Sequence, residues 1–280
     1  MNFYPPFIRI AGRYEVASRP LLGGMGVVYL CYDHQEQRPV ALKTFRPEYL
    51  PDRTTRDRFL REGATWVNLG KHPHIVRAYG VERIGDGREV YLVLELVTKE
   101  EGRPDASLRS WLTPGRLLAV DQALLFALQI VRAMKHATTM IPGFVHRDLK
   151  PENVLVGVDR LPGWAVNRVR VTDFGLAAVL EGAAWPASGD AQSADVRRTQ
   201  LTRGAVGTPL YMAPEQWAGE PVSEQTDMYA LGCILFEMLN GEQAVDGRSL
   251  TDLERAPSRA AVWGEGRGSG MRTGGKLSRR

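Results

Sequence analysis

Cysteine is scarce in this 280-residue chain: Cys31 and Cys233 are the only two, far apart and without a CxxC spacing. That excludes a disulfide scaffold and a zinc knuckle, and it suits a reducing compartment. Both read as small buried apolar groups. Long hydrophobic runs are missing too. No stretch reaches the roughly 18 apolar residues a membrane helix needs. The opening MNFYPPFIRIAGRY lacks a charged region followed by an apolar run, so it does not read as a secretion signal. A cytoplasmic location is the expectation. Internal repeats are also absent.

The body lacks an excess of positive charge as well. The net charge is +4, but residues 255–280 hold seven Lys/Arg against one Glu, which leaves residues 1–254 at −2. A chain that tracks a phosphate backbone needs its basic side chains on the folded body, so nucleic acid is not an expected partner. The remaining composition, 44% hydrophobic and 24% charged, describes one large domain or two small lobes sharing a cleft.

Val27–Leu30 and Val40–Leu42 flank the turn-rich DHQEQRP segment and predict an antiparallel pair of strands. Tyr91–Val97 predicts a buried strand. Between them, residues 54–70 put Phe59, Trp66 and Leu69 on one helical face. Further on, residues 121–138 place Leu124, Leu128, Val131 and Met134 on one helical stripe. Short strands are expected at 154–158 and 169–171. Residues 223–240 are apolar on nearly every side, start at a candidate N-cap, Ser223, and stop before Gly241, so they predict a buried helix. Residues 181–198 and 255–280 are small, polar or Gly/Arg-rich and predict no packed structure.

Leu22-Gly23-Gly24-Met25-Gly26-Val27-Val28 runs into a strand, and Lys43 follows on the next one. Glycines at such a turn let backbone N–H groups approach a phosphate with no Cβ in the way. Most isolated Gly-rich turns are merely tight hairpins. Lys43, however, lies inside the apolar strand Val40-Ala41-Leu42-Lys43, and a buried ammonium needs a partner. Glu62 falls on the apolar face of its helix and is the expected one; a snorkelling surface glutamate is the alternative.

The strongest pattern is His146-Arg147-Asp148-Leu149-Lys150-Pro151-Glu152-Asn153, then Asp173-Phe174-Gly175, then Ala213-Pro214-Glu215. With these three motifs in this order the chain resembles the Hanks-type serine/threonine protein kinases, especially their bacterial branch, over about residues 12–241. The resemblance implies an α+β, two-lobed kinase fold: a β-rich N-lobe over 12–97, a helical C-lobe over 98–241, and an irregular basic tail over 242–280. It implies ATP and Mg2+, with Mn2+ as the alternative cation, and transfer of the γ-phosphoryl group to Ser/Thr hydroxyls of protein substrates.

The same resemblance assigns roles. Asp148 would accept the proton of the attacking hydroxyl, and Lys150 would steady the transferred group and favour Ser/Thr over Tyr. Asn153 and Asp173 would hold the metal, since oxygen donors suit a hard cation. Lys43, fixed by Glu62, would grip the α/β-phosphates under Leu22, Gly23, Gly24 and Gly26. Val28 and Ala41 would roof the adenine. Backbone groups of Glu95 and Val97 would read its edge, behind a gatekeeper Leu94. Thr208 would brace Asp148 and Lys150, and Asp227 would hold the catalytic-loop backbone. His146 is expected as a packed structural group. The segment from Asp173 to Glu215 contains Thr199 and Thr202; a phosphate there adds about −1.5 to −2 charges and would dock on Arg147.

Two departures stand out. The first glycine of the family's loop falls on Leu21. After residue 240 the family continues with more helices, one of which supplies an arginine to Glu215, whereas this chain continues with a Gly/Arg-rich stretch that includes Arg279 and Arg280. The expectation is an incomplete lower lobe with one face of 223–240 uncovered, open to a partner. Two rival readings follow: a weakly active or inactive kinase-like scaffold, and a small-molecule phosphotransferase on a related fold.

Overall fold

The computed structural model describes residues 3–23, 26–45, 53–85, 87, 89–115, 117–161, 164–174 and 209–245. Its first part is a sheet of seven strands: β1 (Arg9–Ile10), β2 (Tyr14–Val16), β3 (Leu21–Leu22), β4 (Val27–Asp33), β5 (Arg38–Thr44), β6 (Ala78–Ile84) and β7 (Glu89–Glu95). The order is β1-β2-β4-β5-β7-β6, with β3 on β4. The predicted β4–β5 hairpin forms in antiparallel register, with Val28 opposite Lys43 and Leu30 opposite Ala41. Sequence patterning missed β1, β2, β3 and β6, because three are only two or three residues long and β6 carries no clean alternation.

Side chains alternate along a strand, so register decides which ones share a face. One face carries Val27, Tyr29, Cys31, Val40, Leu42, Tyr91 and Val93 in a cluster closed by the N-terminal segment. The other carries Val28, Ala41, Leu92 and Leu94 and merges with the core of the helical part. Lys43, opposite both Val28 and Leu92, belongs to this second face.

Helix α1 (Arg53–Asn68) packs on that second face. Phe59, Trp66 and the following Leu69 are buried as the spacing predicts. Helix α2 (Val120–Met140) differs from expectation. Its buried face is Ala123, Phe126, Ala127, Ile130, Ala133, Met134 and Ala137, so the stripe of Leu124, Leu128 and Val131 is 52%, 45% and 37% exposed. The helix has two apolar faces, and the alanine-rich one allows close approach of the strand at 164–171 and the helix at 224–240. Beyond α2 come the hairpin β8 (Val154–Leu161) and β9 (Trp164–Val171), longer than expected, then α3 (Pro214–Ala218) and α4 (Glu224–Asn240).

Helix α4 has the predicted ends. Ser223 accepts a hydrogen bond from the Gln225 N–H, and Gly241 closes the helix at φ 70°. The expected uncovered face on α4 is small: of its large apolar side chains only Met228 is exposed, whereas α2 carries six of the thirteen exposed large apolar side chains among the described residues. No described helix is long and apolar enough to cross a membrane. Gly24, Thr199, Thr202, Thr208, Arg279 and Arg280 lie outside the described residues.

Candidate functional site

The site forms where the second face of the sheet meets the loop after α2. Gly26 sets its upper edge. An added Cβ there would lie 2.3 Å from the Thr44 carbonyl oxygen, so no side chain fits between the glycine turn and β5. Gly23 N–H donates to the Gly26 carbonyl at 2.9 Å and closes the turn. Val28, Ala41 and Leu94 line the wall below, on the same face as Lys43. Glu95 ends β7, and Val97 follows it as the chain leaves the sheet.

Lys43 pairs with Asp173: Nζ lies 2.6 Å from Oδ2, and both side chains are largely buried. Burial pushes the Asp173 carboxyl up, but the charge and hydrogen bond of Lys43 outweigh it and hold the group below the usual range. The expected Lys43–Glu62 pair does not form. Gly63, not Glu62, faces the sheet: its Cα packs so close that an added Cβ would lie 3.1 Å from Val81 and 3.4 Å from Leu92. One residue earlier on the helix, Glu62 is rotated by about 100° to a half-buried flank. Burial raises its pKa, and the charges of Arg147 and Arg61 oppose that rise.

The loop after α2 is a dense hydrogen-bonded unit. Lys150 Nζ donates to both Asp148 carboxylate oxygens at 2.8 Å. Asn153 Nδ2 donates to the Asp148 carbonyl at 2.7 Å and to its Oδ2 at 2.9 Å. These bonds use the amide nitrogen of Asn153, which leaves its side-chain oxygen as a donor atom for a cation. Asp173 sits on the next segment, because the Thr172 N–H donates to the Asn153 carbonyl at 2.9 Å. Carboxylate and amide oxygens together form a donor set suited to Mg2+.

His146 and Asp227 hold this loop from beneath. The His146 ring bridges the two segments: it is fully buried, and its Nε2 donates to the Thr172 carbonyl at 2.8 Å. Asp227, embedded in α4, accepts from the His146 N–H at 2.8 Å and the Arg147 N–H at 3.0 Å. Phe174 is sandwiched among Trp66, Phe144 and His146, with ring centroids 5.1–5.7 Å away. Arg147 and Asp173 both occupy the left-handed region, at φ 69° and 67°. That conformation is costly for residues with a Cβ, and it persists here because His146, Asp148 and Thr172 beside these residues are held by hydrogen bonds and Phe174 by ring packing.

Several residues of this region had no distinguishing signal in the sequence. Gln216 of α3 donates to the Arg147 carbonyl at 2.8 Å while accepting from the Ala213 N–H. Arg109 reaches Glu152 at 2.8 Å, Glu237 at 2.6 Å and the Tyr211 hydroxyl, and Tyr211 in turn donates to Glu237. The Thr226 hydroxyl donates to Glu215, the carboxylate expected to bind a later arginine.

Comparison with known proteins bears directly on this geometry. The family model described as protein kinase domain matches residues 22–260. PrkC of Bacillus subtilis, a serine/threonine-protein kinase, is 34% identical over 246 residues, which is 88% of this chain and 33% of the relative. PknA of Mycobacterium tuberculosis, also a serine/threonine-protein kinase, is 33% identical over 243 residues, 86% of this chain and 49% of the relative. The chain therefore spans between a third and a half of the length of these two relatives. Among solved structures, the kinase domain of Mycobacterium tuberculosis PknI superposes with a TM-score of 0.61 at 23% identity, covering 92% of this chain and 91% of that one. The glycine turn, the Asp148 loop and the two-part architecture are thus those of a known family: the chain belongs to the protein kinases, and its relatives are bacterial serine/threonine kinases.

Proposed function

We propose that the chain transfers the γ-phosphoryl group of ATP to Ser/Thr hydroxyls of proteins and phosphorylates its own segment at Thr199, Thr202 or both. The observation that carries this reading is the convergence of Asp148, Lys150, Asn153 and the Lys43–Asp173 pair at one place. Phosphoryl transfer asks little covalent work of a protein, so positioning and charge neutralisation dominate.

In this reading Gly23 and Gly26 admit the triphosphate under the turn. Val28, Ala41 and Leu94 bury the adenine, and the main chain of Glu95 and Val97 reads its edge. Lys43 leaves its place on Asp173 partly to the α/β-phosphates. Asp173 and Asn153 would hold Mg2+, which would supply neutralisation of phosphate charge when bound. Asp148 orients the substrate hydroxyl and accepts its proton as the oxygen attacks the γ-phosphorus. The bond to the β–γ bridging oxygen breaks, and ADP leaves. Lys150 offsets charge on the transferred group, and Asp227 and His146 keep the loop in register throughout.

The test is incubation of the purified chain with Mg2+ and ATP, followed by intact mass and phosphosite mapping, with Asp148→Asn as control. Phosphate on Thr199 or Thr202 in the wild type and none in the control is the expected result. A folded chain that binds ATP but carries no phosphate and transfers none would favour the scaffold reading. Transfer to a sugar or aminoglycoside but not to protein would favour the small-molecule enzyme.

A further inference from the structure

The backbone of Glu95 belongs to the nucleotide reading above, but its side chain has no role there. It is nonetheless held from two sides. Oε1 lies 3.3 Å from Arg170 Nε on β9, and Oε2 accepts the Arg77 N–H at 3.2 Å. The Glu95 N–H donates to the Arg77 carbonyl at 2.8 Å, so residues 77 and 95 clasp each other through both main chain and side chain. Arg170 is itself fixed: its Nη2 donates to Asp159 at 2.7 Å, and its side chain is largely buried.

The segment that meets Glu95 is a junction of the whole molecule. The Val76 N–H donates to the Val171 carbonyl, and the Val171 N–H donates to the His74 carbonyl, both at 2.9 Å. The Val76 carbonyl accepts from the Trp66 indole of α1 at 2.9 Å. Three neighbouring groups therefore join α1, β9 and the end of β7, and β9 delivers Asp173 two residues after Val171. A second, independent feature presses the same parts together. At Gly157 of β8 an added Cβ would lie 2.7 Å from Val97 Cγ1 and 3.2 Å from Arg170 Nη1. Only a glycine lets the segment after β7 lie this close to the β8–β9 hairpin.

We infer that the Glu95 carboxylate, paired with the Arg170 side chain that packs beside Gly157, is a positioning group that fixes the peptide at Glu95–Val97 for nucleotide recognition. The inference rests on the proposed ATP reading. An ion pair with an 11% exposed arginine and a 28% exposed glutamate is partly desolvated, so its orientation is better defined than that of a surface pair. Its loss frees the main chain that would read the adenine edge, while the loop that would perform the transfer is anchored separately by His146, Asp227 and Gln216.

The variants are Glu95→Gln, Arg170→Met, Arg170→Lys and Gly157→Ala, assayed by direct binding of ADP and ATP and by steady-state transfer. Glu95→Gln and Arg170→Met are expected to raise Kd and KM for nucleotide about three- to tenfold, with kcat within about twofold. The double variant should be no worse than either single one. Arg170→Lys should recover part of the loss, and Gly157→Ala should reproduce it without removing a charge. If Arg170→Met does not fold, the isosteric Glu95→Gln carries the test. Unchanged nucleotide affinity in Glu95→Gln and Gly157→Ala would overturn the inference, as would equal losses in kcat and in KM for the protein substrate. A wild-type chain that binds no nucleotide would remove the ATP reading itself, which separates the two failures.

Discussion

The Lys43 ammonium and the Asp173 carboxylate lie 2.6 Å apart, and this single contact joins the second face of the sheet to the segment after β9. Neither charge could stay in its largely buried position alone.

Removing one partner of the pair should therefore cost more than removing both. Lys43→Met should lower stability by about 3 kcal/mol and abolish tight nucleotide binding. Adding Asp173→Asn should restore part of the stability but none of the binding. Thermal denaturation of the two variants, compared with nucleotide titrations, checks both halves.

Gly26→Ala offers a purely steric test. Its Cβ would stand 2.3 Å from the Thr44 carbonyl oxygen, so the turn or β5 must shift. We expect a loss of about 1–3 kcal/mol together with at least about tenfold weaker nucleotide binding. Gly12→Ala would meet no neighbour, and its strain at φ 67° acts far from the site, so it should leave nucleotide affinity unchanged.

Part of the fold was legible in the sequence and part was not, for identifiable reasons. Lys43 was readable because an ammonium inside an apolar strand demands a partner. The identity of that partner was not, because a one-residue rotation placing Gly63 on the sheet turns Glu62 aside, and periodicity cannot resolve one position on a short amphipathic helix. The outer stripe of α2 looked like core for a related reason: leucines carry a stronger signal than the alanines that mark its buried face. Asp148, Lys150, Asn153 and Asp173 were legible as a set through their motifs. Arg109 was not, since its partners Glu152, Tyr211 and Glu237 lie 43, 102 and 128 residues away.

Arg109 nevertheless ties the Asp148 loop to α4. Arg109→Met would leave the buried Glu237 carboxylate with Tyr211 alone among the described residues, at a cost of about 3 kcal/mol. Arg109→Lys should recover only part of it, since a point charge cannot reach three acceptors as a planar guanidinium does. Chemical denaturation of the three proteins reads this directly.

Stability should also fall in acid through Asp33. Its carboxyl is held below the usual range, chiefly by the Arg13 hydrogen bonds at 2.7 and 2.8 Å, with burial opposing and the Gln35 and Glu36 N–H groups assisting. A depressed carboxylate stabilises the fold above its unfolded pKa of about 3.9. That contribution fades as pH drops through the lower folded value. Asp33→Asn should be less stable at neutral pH and should lose less on acidification below about pH 4. Melting temperatures measured from pH 7 to 3 would show the two curves converging.

The decisive measurement is transfer from γ-labelled ATP to a Ser/Thr-containing protein substrate in Mg2+, comparing the wild type with Asp148→Asn. Label on Ser/Thr of the substrate is expected with the wild type, and in the variant a rate at least about 100-fold slower, on the order of a lost general base. Equal rates in the two proteins, or no transfer by a wild-type chain that is folded and binds ATP, would contradict the proposed function.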